Sequence, residues 1–307
     1  MNISTLLFGI LILFVTSCST GSDKKQTEQE QSEINEKMLV YEPILVSDSL
    51  PVVVDEQSGM IWHDSLIWVN NDSGGAAALY AYNLQGSLKK TLQVKNVSNL
   101  DWEALAEDDQ YFYIGDFGNN YGTRRNLKLY RVDKSKIDKN DKIETEAEEI
   151  GFEWADQKVF ISLKHHHNYD CEAFFSSGDS LYFFTKNWAN LKTRMYSMPK
   201  TLEQHKLQPK AEFDADLLVT GADINTTGDV VALVGYKDFR TYLILLYDFE
   251  ATDFLGGKSV KLDLEVLGSA QTEGVLFTDN DELYINTEAT KQKQAIYKID
   301  WKQFISN

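Results

Sequence analysis

Acidic residues stand at related points along this chain, and their spacing carries the first chemical information. Asp101 and Glu103 open one apolar stretch, Asp170 and Glu172 a second, and Asp223 and Glu273 two more. A second polar cluster follows each marker, and also follows Gly59 in a similar first stretch: Asp72, Asp116, Lys186-Asn187, Tyr236-Lys237 and Thr287-Glu288. The offset is about 13 residues, the distance at which two strands of roughly five residues joined by a tight turn bring their far ends together. Each marker and its partner are therefore expected on one face. Asp101, Glu103, Asp170, Glu172, Asp223 and Glu273 should converge around one opening, with Asp116 and Glu288 just outside.

Converging carboxylates repel one another, so they must take up protons, stay hydrated or hold a cation. Hard oxygen donors in this number suit calcium, which takes roughly six to eight oxygen ligands. The competing reading is that the acids cap strand ends and accept hydrogen bonds from neighbouring backbone amides. Arg124, Arg125, Lys186, Lys237 and Arg240 are expected on the same face. Acids and bases around a cation suit a small anionic ligand carrying phosphate or carboxylate; solvated surface charge is the plainer alternative. Asp116, Asn119, Asn120, Arg124, Arg125 and Lys186 form the candidate ligand-binding set. If the site were hydrolytic, Glu103 or Glu172 would act as general base, with Lys186 and Arg125 on the anion.

Other site patterns fail. There is no Gly-x-Ser-x-Gly nucleophile elbow and no dinucleotide fingerprint. Gly256-Gly257-Lys258-Ser259 has Thr252 where a phosphate-binding loop requires its first glycine. His165, His166 and His167 are adjacent, so they point in different directions and do not readily share one metal. Cys171, beside Asp170 and Glu172, reads as a buried thiol before it reads as a nucleophile. Trp102 and Trp188 flank the expected face and would either stack a ligand or pack the core.

The elements that must position these residues are short strands throughout. Five similar hairpins recur, with polar turns at Asp64-Ser65, Asp108-Asp109, Gly178-Asp179, Gly228-Asp229 and Asn280-Asp281. A third apolar strand follows each, and a fourth, more polar strand follows four of them. Four antiparallel strands repeated every ~40–50 residues predict an all-β β-propeller. Five four-stranded blades are expected; six would require a degenerate blade within 131–169. The charged stretch from Lys134 to Glu149 reads as an exposed loop. The last repeat lacks its outer strand, which the segment Met38–Val46 is expected to supply.

The chain ends and the charge bear on where the protein works. Leu6 to Ser17 is apolar and leads into Val15-Thr16-Ser17-Cys18, which is similar to a bacterial lipoprotein cleavage site. Residues 1–17 are expected to be a signal peptide, Cys18 the lipidated residue, 18–37 a disordered tether, and 38–307 the propeller. Ser19, in place of an inner-membrane retention Asp, points to the outer membrane, and a monomer is expected. The net charge of −17 argues against nucleic acid as a partner.

Asp101-x-Glu103 running into Tyr113-Ile114-Gly115-Asp116-x-Gly118-Asn119-Asn120, with Asp170-x-Glu172-Ala173, Thr220-Gly221-Ala222-Asp223 and Thr272-Glu273-Gly274, resembles a family of secreted bacterial propellers. That family is similar to the phytase-esterase-like and SdiA-regulated propellers, and more distantly to calcium-dependent lactonase propellers. The resemblance spans about residues 55–300 and implies acidic, calcium-binding residues at a channel mouth. Two departures stand out. Ser58-Gly59-Met60 brings no carboxylate to the first repeat, so that blade is expected to give no ligand. Asn119 stands where relatives often have Asp. The expected role is a lipid-anchored ligand-binding or interaction module; the alternative is a calcium-dependent hydrolase of phosphate esters or lactones.

Overall fold

The computed structural model describes residues 38–137, 140–290 and 292–305. The expected signal peptide, Cys18 and the expected tether lie outside them. Among the described residues no helix is long and apolar enough to cross a membrane.

The chain forms five sheets in sequence order around a ring, each built on four antiparallel strands, a five-bladed β-propeller. The inner strands are Gln57–His63, Trp102–Glu107, Asp170–Ser177, Leu218–Ile224 and Val275–Phe277, and each touches the next around the ring. Their second strands are Leu66–Asn71, Tyr111–Asp116, Ser180–Lys186, Val230–Lys237 and Leu283–Thr287. These strands are apolar on both faces because a blade is covered on both sides, by the blade before and the blade after. The core is correspondingly divided. Five clusters of buried side chains each join two successive blades, and the last joins Leu276, Tyr284 and Ile296 to Met60, Ile67 and Val69, closing the circle. Phe117 shows the density of this packing, with Phe152, Phe174 and Phe183 all edge-on to its ring at centroid distances of 6.2, 5.4 and 5.8 Å.

The fifth blade is completed by Ile44–Ser47, antiparallel to Ala295–Ile299, as the incomplete last repeat required. Three further strands lie parallel along blade edges. Met38–Val40 pairs with Lys258–Asp263, Lys142–Thr145 with Leu88–Val94, and His205–Leu207 with Glu148–Trp154. The stretch from Lys134 to Glu149 is therefore not the exposed loop its charge suggested. Its Ile143 and Ala147 enter the core between the first two blades, and its backbone satisfies an otherwise open strand edge. Residues 148–154 are the outer strand of the second blade, so no sixth blade is hidden there.

Four of the five inner strands are irregular at one point. The pairing register slips by one residue at Glu103, at Glu172 and at Thr220, and between Gln57 and Met60. A bulge re-aims one side chain toward the axis. Small residues follow these points (Gly59, Ala104, Ala173, Gly221, with Gly274 in the fifth blade) because neighbouring inner strands approach closely there. A Cβ on Gly59 would lie 2.3 Å from Leu105 N and 2.4 Å from Ala104 Cα. Gly59→Ala is accordingly expected to destabilise the domain by about 1–3 kcal/mol through overpacking, read as a lower urea midpoint at unchanged slope.

Candidate functional site

The slipped register sets the contents of the channel mouth. The bulge positions are Ser58, Glu103, Glu172 and Thr220, and by the same spacing Glu273. Ser58 Oγ donates to Glu103 O (2.5 Å) and Thr220 Oγ1 to Thr272 O (2.6 Å), so these two tie one blade to the next. The three glutamates are buried, with 4%, 3% and 5% of their surface exposed. Isolated ionised carboxylates at such positions would be very costly, and the surroundings deal with them in different ways.

Glu172 has a built-in partner. Lys186, at the end of the same blade's second strand, places Nζ 2.5 Å from Glu172 Oε2. The ammonium sits over the rings of Trp188 and Tyr236, at 4.9 and 5.1 Å. Burial works against the charge of Lys186, but Glu172 and then Glu273 hold its pKa well above the ordinary lysine value. Glu273 shares that field, and among the described residues its Oε1 is buried without a hydrogen-bond partner. Glu288, at the end of its second strand, is pushed up to about 9 by burial and by Glu273.

Glu103 lies instead with Asp101 and Asp72. One carboxylate oxygen from each falls within 4.8 Å of the other two. Burial and then the charge of Asp72 push Asp101 up to about 7. Burial raises Asp72, and burial followed by Glu172, Asp72 and Asp101 raises Glu103 well above the ordinary range. The backbone makes room for the trio at Gly118, where a Cβ would stand 2.0 Å from Glu103 Oε1 and 2.6 Å from Asp101 Oδ2. An all-oxygen, all-carboxylate donor set with a glycine cradle fits a hard cation such as calcium. Asp72 belongs to the blade expected to contribute no ligand. It comes from the turn after the second strand, not from the bulge where a carboxylate was sought.

The remaining sequence candidates divide. Asp170 accepts from Asn119 N (2.6 Å), Trp188 Nε1 (2.7 Å) and Cys171 N (3.1 Å), so its lone pairs serve to hold loops. Asp116 is fully buried against Arg124 Nη2 (2.7 Å) and Tyr130 OH (3.3 Å). Asn119 donates to Tyr169 O and accepts from Arg124 N. Asp116, Asn119 and Asp170 thus build the site's frame. Arg124 also donates to Gly118 O (2.9 Å) and lies 3.8 Å from Asp101, keeping a positive group beside the trio. Arg125 stacks on Phe160 at 3.6 Å. Lys237 pairs with Asp216, and Arg240 with Asp263 and Glu265.

Asp223 is not at this mouth. The bulge of its blade is Thr220, so Asp223 lies three residues further along the strand, about 10 Å away. There it accepts from Phe277 N (2.7 Å) and Ile224 N (2.8 Å) and lines a cavity of about 530 Å³ with Glu107, Asp279 and His63. The acidic residue that looked like a marker is a strand-end cap.

A second cavity of about 360 Å³ opens beside the trio, lined by Asp101, Ser73, Asn119, Asn120, Tyr121, Thr123, Arg124, Lys164 and His165. His165 stacks on Trp188 at 3.8 Å and 17°. His167 is buried, with Nε2 toward Asn120 O and Nδ1 accepting from Tyr169 N, so both ring nitrogens are used. Cys171 is buried and free, and burial pushes its thiol up, away from a nucleophile's thiolate. Ser73, Tyr121, Thr123, Lys164 and His165 carried no signal in the repeat pattern, because they sit on loops that differ from blade to blade.

The fold and the site together define a β-propeller with a buried acidic channel mouth, a hard-oxygen donor cluster and an adjoining basic pocket. No known family profile and no curated protein matches the chain. Among solved structures it is similar to a glucose dehydrogenase, with a TM-score of 0.51 at 7% identity over 83% of this chain and 98% of that one. It is also similar to a calcium-binding regucalcin from Agrobacterium tumefaciens, with a TM-score of 0.45 at 10% identity over 86% and 95%. For hydrazine synthase from Kuenenia stuttgartiensis the TM-score is 0.39 at 10% identity, and the match takes in 76% of this chain but only 56% of that one. The first likeness bears on the fold; at these identities none bears on activity.

Proposed function

We propose that this is a calcium-dependent binding module for a small anionic ligand, carried as a lipoprotein on Cys18 at the outer membrane and related to the secreted propellers it resembles. The observation that carries the reading is the trio Asp72, Asp101 and Glu103, three carboxylates held together against Gly118 beside a pocket with Arg124, Lys164 and His165. Asp72, Asp101 and Glu103 would hold the calcium. Bound there, the ion would neutralise their repulsion and offer its remaining coordination positions to a phosphate or carboxylate oxygen. Arg124 and Lys164 would meet the ligand's other oxygens.

Titration calorimetry with inorganic phosphate tests this directly. Binding is expected in calcium, to vanish in chelator, and to be lost in Asp101→Asn even with calcium present. Phosphate that binds equally well without calcium would sink the reading. Hydrolysis of a phosphate ester or lactone is the second reading. Glu103 belongs to the donor set and Glu172 is paired with Lys186, so neither is the best-placed base. Glu273, with its unpartnered Oε1, is the carboxylate in favour of it.

A further inference from the structure

The loop that walls the basic pocket, residues 155–169, displays apolar side chains. Val159, Ile161 and Leu163 are 53%, 62% and 38% exposed, and Tyr121 on the facing loop is 51% exposed. Yet the loop is pinned. Gln157 Nε2 donates to Gly122 O (2.9 Å), Leu163 N to Tyr121 O (3.0 Å) and His165 N to Asn120 O (3.2 Å), and Phe160 is covered by the Arg125 guanidinium. The backbone therefore holds an apolar ridge outward in a fixed place. Contiguous exposed apolar surface beside a pocket marks an interaction site more often than a scattered apolar residue does. The apolar side chains meet the pocket at Tyr121, which lines it and whose carbonyl accepts from Leu163 N.

A charged pocket that runs into an apolar ridge matches a ligand with both characters. We infer that the ligand is a soluble anionic amphiphile. Its phosphate or carboxylate head group occupies the pocket beside Asp101, Arg124 and Lys164, and its alkyl chain lies along Tyr121, Leu163, Ile161 and Val159. This rests on the calcium-dependent anion binding proposed above and adds the chain.

The test compares ethyl phosphate with hexyl phosphate in calcium, by calorimetry below the micellar concentration, on the wild-type protein and on a Val159→Ser/Ile161→Ser variant. A fully buried methylene contributes about fourfold in affinity. On a half-covered ridge the four extra methylenes are expected to give at least about tenfold tighter binding. The variant should bind ethyl phosphate as the wild type does and lose the preference for hexyl. Both residues are exposed, so folding is expected to survive, and an unchanged circular dichroism melt verifies it. Equal binding of the two phosphates by the wild type would overturn the inference and leave the binding module intact. Failure of both to bind would overturn the module and the inference together. A dimer that dissociates in the variant would also overturn it, assigning the ridge to a second copy of the chain. Capture on phosphatidic acid vesicles without a hexyl preference would overturn it in favour of a membrane surface.

Discussion

Calcium at a hundredfold excess over its dissociation constant is expected to raise the melting temperature of the domain by about 5–10 °C. Binding of that strength to the native state alone contributes about 2.7 kcal/mol, and a domain of this size shifts by roughly 2–4 °C per kcal/mol. The sign with pH follows from the trio. Asp72, Asp101 and Glu103 all have folded pKa values above the ordinary ones. For Asp101 the stabilising contribution is fully present below about 4 and is lost as the pH rises through about 7. The calcium-free domain should therefore be less stable at pH 8 than at pH 5.5. Calcium needs the deprotonated ligands, so its stabilisation should be larger at pH 8. Asp101→Asn should weaken both effects. Without calcium at pH 8 it should melt higher than the wild type, because a repulsive charge is gone, and calcium should add little. Differential scanning fluorimetry at the two pH values, with calcium or chelator, measures all of this. A calcium shift of equal size in wild type and Asp101→Asn would refute the assignment.

Lys186→Met is expected to destabilise the domain by about 3–5 kcal/mol, the range found when one member of a buried pair is removed. The lysine is the only cation within ion-pairing distance of Glu172 among the described residues, and its charge also reaches Glu273 and Glu288. Removing it leaves Glu172 uncompensated beside Glu273. Adding Glu172→Gln should recover much of the loss, since a neutral pair of similar volume carries no unpaired charge. Urea unfolding of the single and double variants separates the two effects. A double variant no more stable than Lys186→Met alone would show that shape, not charge, fixes this site. The pair also bears on the placement of the proposed calcium, since Glu172 has a lysine in direct contact, whereas the trio has only Arg124, 3.8 Å from Asp101 and already bonded to Asp116.

Much of the fold was legible because its rules are local. Hairpin turns such as Gly228-Asp229 and apolar strands such as Val230–Lys237 are written residue by residue, and a missing last strand implies that another segment replaces it. The site was legible only in part. Glu103, Glu172 and Glu273 stood out as acids at the head of a repeated hairpin, and each also precedes a small residue that the close approach of inner strands demands. The same rule, applied strictly, selects Thr220-Gly221 and Ser58-Gly59, and would have set Asp223 aside. The acid was followed instead of the small residue beside it. Asp72 was picked out by the repeat spacing but left out of the donor set for a different reason. Its membership in the trio depends on how two neighbouring blades meet, a relation between residues far apart in sequence that repeat spacing does not encode. The paired state of Glu172 and the saturation of Asp170 by Asn119, Trp188 and Cys171 are likewise products of packing.

Two short strands near the start of the described chain do different work. Ile44–Ser47 completes the ring, whereas Met38–Val40 lies outside it, parallel to Lys258–Asp263 and in register from Met38 with Lys261 to Val40 with Asp263. A tug along the chain ahead of Met38, directed along that strand, would load its hydrogen bonds together in shear and not open them one after another. The force would spread into the fourth blade before it reached the strand that closes the ring. Met38–Val40 would then serve as a cable clamp, so that a domain held by its leading end could be pulled without the channel mouth changing shape.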